Sequence, residues 1–188
     1  MDMEKRIEAL ENQMSQLQDT LVKIEKNADE QKLAMIVFSG DLDKALAAFI
    51  IATGAVAMGM EVVMFFTFWG TPLLRKKDGD TTGQKDMFGK MFGAMLPKGA
   101  SKATLSKMNM GGAGTQMMKT LMKKKNVASL DEMIQLAAEL EVKIYICEMS
   151  MDLMGFSRSE MIDYPDLGYA GVATFLSEAG TSRVQLFI

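Results

Sequence analysis

The stretch LAMIVFSGD, Leu33 to Asp41, decides how the rest of the chain is read. Leu33 to Phe38 are apolar without a break, and Ser39, Gly40 and Asp41 then open a long apolar helical stretch from about Leu42 to Met58. A second continuous run follows at once, EVVMFFTFWG, Glu61 to Gly70. Apolar runs that are continuous rather than alternating indicate strands buried on both faces, and a helix between two of them indicates a right-handed parallel crossover. Strand, helix, strand is the first unit of an α/β sheet.

Toward the C-terminus the same logic recurs. SLDEMIQLAAELE places Ser129 and Glu132 at capping-box spacing ahead of an amphipathic helix, and VKIYIC follows as a strand. SRSE, with Ser157 and Glu160, offers a second capping box; YAGVATFLSEAG reads as a helix closed by Gly180, and SRVQLFI as a last strand. At least four strands interleave with helices. The expected fold is therefore α/β, a doubly wound, mainly parallel sheet of about five strands with helices on both faces. The division expected is an N-terminal helix over residues 1–30 and an α/β domain over 31–188, with an insertion at 78–125.

The N-terminal helix carries Ile7, Leu10, Met14, Leu17, Leu21, Ile24 and Ala28 at alternating spacings of three and four, a narrow seam of coiled-coil type. Its flanks, Glu11, Gln13, Gln18, Thr20, Glu25 and Asn27, offer few opposite charges, so the seam argues for association without fixing partner number or direction. The alternative is a helix packed on its own domain. Eight of the twenty methionines lie in the insertion. Met87, Met91 and Met95 stand four apart beside Phe88 and Phe92, a compliant apolar face suited to a lid or partner surface. Thioethers are also soft copper(I) ligands, but Phe interleaves with Met and no Cys or His stands nearby to anchor a metal, so no metal site is assigned. The lysines from Lys119 to Lys125 complement a helix C-terminus.

Composition narrows the chemistry. At 188 residues and 48% apolar, the chain suffices for one domain with an appendage. A net charge of -3 removes the electrostatic term that non-specific nucleic-acid binding relies on, which argues against such a partner. One cysteine, Cys147, precludes an internal disulfide, a CxxC pair or a thiolate zinc site, and the absence of histidine rules out imidazole-based catalysis in its usual forms. The charged, helical opening does not read as a signal peptide, which makes the cytoplasm the expected compartment. Ala45 to Met60 is free of charge, but a spanning helix needs about 20 apolar residues; Gly59 and Glu61 read as a helix end followed by a strand, so membrane contact is not expected.

In an open parallel sheet, ligands collect outside the carboxyl ends of the strands. Ser39, Gly40 and Asp41 lie there after the first strand, Thr67 to Gly70 after the second, and Cys147 at the end of a later one. If MSMDLMG begins a short helix, free backbone N–H groups and the positive end of the helix dipole point at the sulfur and favour the nucleophilic thiolate without a histidine. Glu148 opposes this if its side chain turns inward. The competing reading is an inert cysteine filling space at a strand end.

SGDLDKAL, FFTFWG, SKMNMGGAGTQMMK, CEMSMDLMG and YAGVATFL resemble the motifs of the long DsrE-like branch of the DsrE/DsrF/DsrH sulfurtransferase family, sometimes labelled peroxiredoxin-like. The resemblance runs from about Leu33 to Ile188 and leaves Met1 to roughly Glu30 uncovered. It implies a parallel α/β sheet, a homo-oligomer, and a cysteine that carries sulfane sulfur as a persulfide, the position that Cys147 matches. The implied role is a sulfur carrier without a cofactor, its partners being sulfur-donor and sulfur-acceptor proteins or small sulfane-sulfur compounds. Around Cys147, the amides of Met149, Ser150, Met151 and Asp152 are expected to steady the anionic sulfur. Trp69 and Gly70 on one side, and Asn109, Gly111 and Gly112 on the other, would form the mouth, with Ser39 and Gly40 on the same edge. The rival is an interaction module in which Cys147 only packs; peroxide reduction is disfavoured for want of a resolving thiol.

Overall fold

The computed structural model describes residues 3–28, 31–77, 91–93 and 95–188. Met87 and Phe88, part of the expected Met/Phe face, lie outside the described residues. Five strands form one sheet in the order β4-β3-β2-β1-β5: β1 Lys32–Val37, β2 Glu61–Phe66, β3 Lys143–Cys147, β4 Leu167–Ala170 and β5 Val184–Phe187. Every neighbouring pair is parallel. The helices are α1 Met3–Ala28, α2 Leu42–Ala57, α3 Ala113–Lys124, α4 Leu130–Glu139, α5 Glu148–Met154 and α6 Val172–Gly180, with a 3-10 turn at Phe68–Leu74 after β2.

The continuous apolar runs behave as buried strands do: β1 and β2 are buried on both faces along nearly their whole length. Leu33, Met35, Val37, Val62, Met64, Phe66, Ile144 and Ile146 point to one face, where α2 and α4 pack to build the main core. Their neighbours alternate to the other face, where Ala34, Phe65 and Cys147 meet Phe175 and Ala179 of α6. The two layers differ in thickness for a topological reason. From β1 to β4 the chain advances in one direction, so right-handed crossovers keep their helices on one side; only the return from β4 to β5, at the opposite edge, carries a helix across the other side.

Local signals set the boundaries. Ser129 and Glu132 close a capping box at the start of α4, and Ser157 with Glu160 forms a second one on a short 3-10 turn at Arg158–Glu160. YAGVATFLSEAG is divided rather than wholly helical: Tyr169 and Ala170 complete β4, Gly171 caps, and the helix begins at Val172. β4 needs only four residues because β3 supplies its ladder partner at the sheet edge. A bridge between Arg75 and Met161 and a buried ion pair between Arg75 and Glu160 (3.0 Å) tie the segment after β2 to the loop before β4. Arg75 also lies 4.5 Å over the Phe156 ring. No helix among the described residues is long and apolar enough to cross a membrane.

Candidate functional site at the end of β3

Cys147 is the last residue of β3, in register with Ala170, and also the N-cap of α5, so the chain passes from strand to helix at the thiol itself. Strand alternation directs its side chain to the α6 face, beside Lys143 and Tyr145 rather than Ile144 and Ile146. There it joins a small apolar cluster with Ala34, Phe65, Phe175 and Ala179, edged by Ile36 and Tyr145. Phe65 and Phe175 stack with centroids 5.4 Å apart. The residue is only 4% exposed. The helix start foreseen from the sequence is present, but the thiol opens into apolar packing beneath α6 instead of onto the rim.

Because the N-cap carbonyl accepts the first intrahelical bond, the unpaired amides of α5 are those of Glu148, Met149 and Ser150, while the amides of Met151 and Asp152 belong to the helical ladder. The Cys147 side chain accepts no capping hydrogen bond. Ser150 turns away from it: its hydroxyl, fully buried, lies 2.9 Å from that of Thr67 and accepts the Phe68 N–H at 3.0 Å. Phe68 has a positive φ of 44°, a conformation costly for a side-chain-bearing residue, and this hydrogen bond helps hold it. Met151 enters the main core, whereas Met149 and Leu153, one turn apart, are exposed. Asp152 lies with Glu148, Met151, Phe156, Ser157 and Arg158 along a cleft of about 390 Å³ beside α5.

Glu148 does not turn inward. Its carboxylate pairs with the Arg158 guanidinium, which also lies 4.6 Å over the Tyr169 ring. Burial pushes the Tyr169 phenol up, against the pull of Arg158. Both partners of this pair are open to solvent, so it adds little to the stability of the fold. Nothing in the sequence spacing marks Arg158 as that partner, ten residues away across a loop.

The first two strand ends interlock on the same carboxyl edge. A Cβ on Gly40 would stand 2.4 Å from the Trp69 carbonyl oxygen and one on Gly70 2.3 Å from that of Val37, so only glycine allows the two loops to approach. The Ser39 hydroxyl donates to the Asp41 carboxylate (2.9 Å) and accepts the Asp41 N–H (3.2 Å), shaping the turn into α2. Phe38 stacks on Phe68 (5.5 Å) and Phe187 (5.7 Å), and Trp69 is half exposed alongside. The loop of Asn109, Gly111 and Gly112 is anchored to the start of α2 and to α3. Asn109 accepts from Thr115 (2.7 Å), and the segment is fastened to the start of α2 by Ser106 to Asp43 and by Leu42 N–H to Thr104. These tethers hold it near the carboxyl end of β1, and in the sheet β2 lies between β1 and the Cys147 strand. Among the described residues no cluster of three acidic or thiol groups is placed to hold a metal.

A profile of the DsrE/DsrF/DrsH-like family matches residues 29–187. The uncharacterized protein YrkE of Bacillus subtilis is 48% identical over 158 residues, spanning 84% of this chain and 97% of its own length. The sulfur carrier protein DsrE2 of Allochromatium vinosum is 40% identical over 165 residues, 85% of this chain and 99% of its own length.

Proposed function

The chain belongs to the DsrE/DsrF/DrsH-like family, and from that membership we propose that it is a sulfur carrier which holds sulfane sulfur as a persulfide on Cys147 and passes it to an acceptor protein. The family and the sulfur-carrier relative support a role in sulfur relay. The observation that carries the assignment to Cys147 is that the chain's one thiol stands at a strand-to-helix junction on the carboxyl edge of the sheet.

The exchange is redox-neutral. Cys147 thiolate attacks the terminal sulfur of a donor persulfide, a bond forms between the two sulfurs, and the donor's own S–S bond breaks to release its thiolate. With thiosulfate as donor the leaving group is sulfite. An acceptor thiolate then attacks the outer sulfur of the Cys147 persulfide, and Cys147 leaves as thiolate. With one cysteine in the chain, no internal thiol resolves the persulfide before transfer. The donor is a protein or a small sulfane-sulfur compound, the acceptor is a protein thiol, the protein acts as a homo-oligomer, and the reducing cytoplasm suits a chain that uses its thiol in this way.

With Cys147 only 4% exposed, its thiol reacts only after the cover moves. Among the described residues that cover is α6, held over Cys147 by Phe175 and Ala179. Sulfur transfer is accordingly gated by local displacement of α6. The same burial favours a second reading, an oligomeric interaction module in which Cys147 is structural. Intact mass after incubation with polysulfide separates them: a gain of one sulfur, reversed by reductant and absent in Cys147→Ser, supports the carrier. No adduct on protein whose Cys147 is shown by alkylation to be accessible supports the module.

A further inference from the structure

Helix α1 runs 26 residues, about 39 Å at 1.5 Å per residue, and its seam is bare. Ile7, Leu10, Met14, Leu17 and Leu21 are each between 51% and 63% exposed, so no described part of the chain covers them. A seam of strict three-four alternation is narrower than the apolar stripe with which a helix packs on a globular surface; it fits one other helix of the same kind. Every copy of this chain brings such a helix.

We infer that α1 pairs in parallel with α1 of a second copy, forming a two-stranded coiled coil. The charges beside the seam choose the direction. With Ile7, Met14 and Leu21 at a and Leu10 and Leu17 at d, Arg6 falls at g and Glu11 at the following e. A parallel pair sets g of one helix against the next e of the other, giving two Arg6–Glu11 ion pairs and, one heptad on, two Gln13–Gln18 amide pairs. An antiparallel pair sets g against g and e against e, and separates Arg6 from Glu11. Ile7 at a with Leu10 at d is the packing that favours two strands; the last layer, Leu21 at a with Ile24 at d, pulls toward more, so the two-stranded state rests on the first layer and on the g–e pairs. Since only residues 29–31 separate α1 from β1, a parallel pair brings both α/β bodies to the same end of the coiled coil. The inference does not depend on any chemistry at Cys147.

The test uses the full chain with Cys147→Ser and Ile7→Cys under mild oxidation. A disulfide-linked dimer is expected, because equivalent a positions meet across a parallel pair; adding Leu17→Glu should slow its formation at least tenfold while the melting of the α/β body is unchanged. Adding Arg6→Glu should slow it, and Glu11→Arg on that background should restore it. Failure of the introduced thiols to link, linking that is indifferent to Leu17→Glu, or a charge pair without effect would overturn the parallel pairing. A seam-dependent mass of three chains by sedimentation would overturn the two-stranded state.

Discussion

Ser150 and Phe175 show how single side chains hold the thiol in place without touching its chemistry. The Ser150 hydroxyl serves both Thr67 and the Phe68 N–H, so it fastens α5 to the turn after β2. Ser150→Ala leaves that amide unpaired in a buried setting and should lower stability by about 1–3 kcal/mol, read from chemical denaturation. Phe175 acts from above, against Phe65 and within the Cys147 cluster. Phe175→Ala should cost about 3–5 kcal/mol as a large-to-small change. If about 1.4 kcal/mol of that loss falls on the closing of α6 alone, Cys147 becomes roughly tenfold faster to alkylate. Iodoacetamide rates measured well below the melting transition check this. An unchanged rate would mean that access runs by another route.

Between elements, the weight of the fold is unevenly distributed. On the thick side, α2 and α4 cover the sheet with a continuous core, and Arg75–Glu160 locks the segment after β2 to the loop before β4. Arg75→Met takes the guanidinium from a buried carboxylate and should destabilise by about 3–5 kcal/mol, measured in the same denaturation experiment. On the thin side, α6 rests on its small apolar cluster and on Glu178, which pairs with the buried Lys32 and accepts from Tyr145 (3.4 Å). The hydrogen bond from Lys32, aided by nearby Lys143 and opposed by burial, holds the Glu178 carboxyl below its usual range. A carboxylate lowered on folding adds stability that is fully present above its unfolded value, about 4.3, and disappears as the pH falls through the folded value. The stability gap between the parent and Glu178→Gln should thus be constant above about pH 6 and close on acidification, as followed by thermal melts across pH.

At the scale of the molecule, what could be read in the chain was what neighbouring residues decide. The unbroken runs at Leu33 and Glu61 announced buried parallel strands, Ser129 with Glu132 announced the start of α4, and Cys147 announced a strand-to-helix junction, because each signal is spelled by residues within one turn or one strand. Two features depend on partners far away in sequence and left no such mark. Tyr169 and Ala170 became strand because β3 offered a ladder, where their local pattern suited a helix. The cover over Cys147 arises from the path of α6 across the sheet, which no spacing around residue 147 encodes.

The unequal layering carries a kinetic corollary. A nucleophile kept beneath the less heavily braced side of a sheet reacts in proportion to the share of molecules that stand ajar, and each 1.4 kcal/mol of closure divides that share by ten. If α6 closes with about 2 kcal/mol, roughly one chain in thirty is receptive at any instant, and stray oxidants meet the same thirtyfold discount. A docking protein that stabilised the ajar form would escape it, so cognate encounters could outrun accidental ones even though the sulfur atom itself were no more reactive toward either.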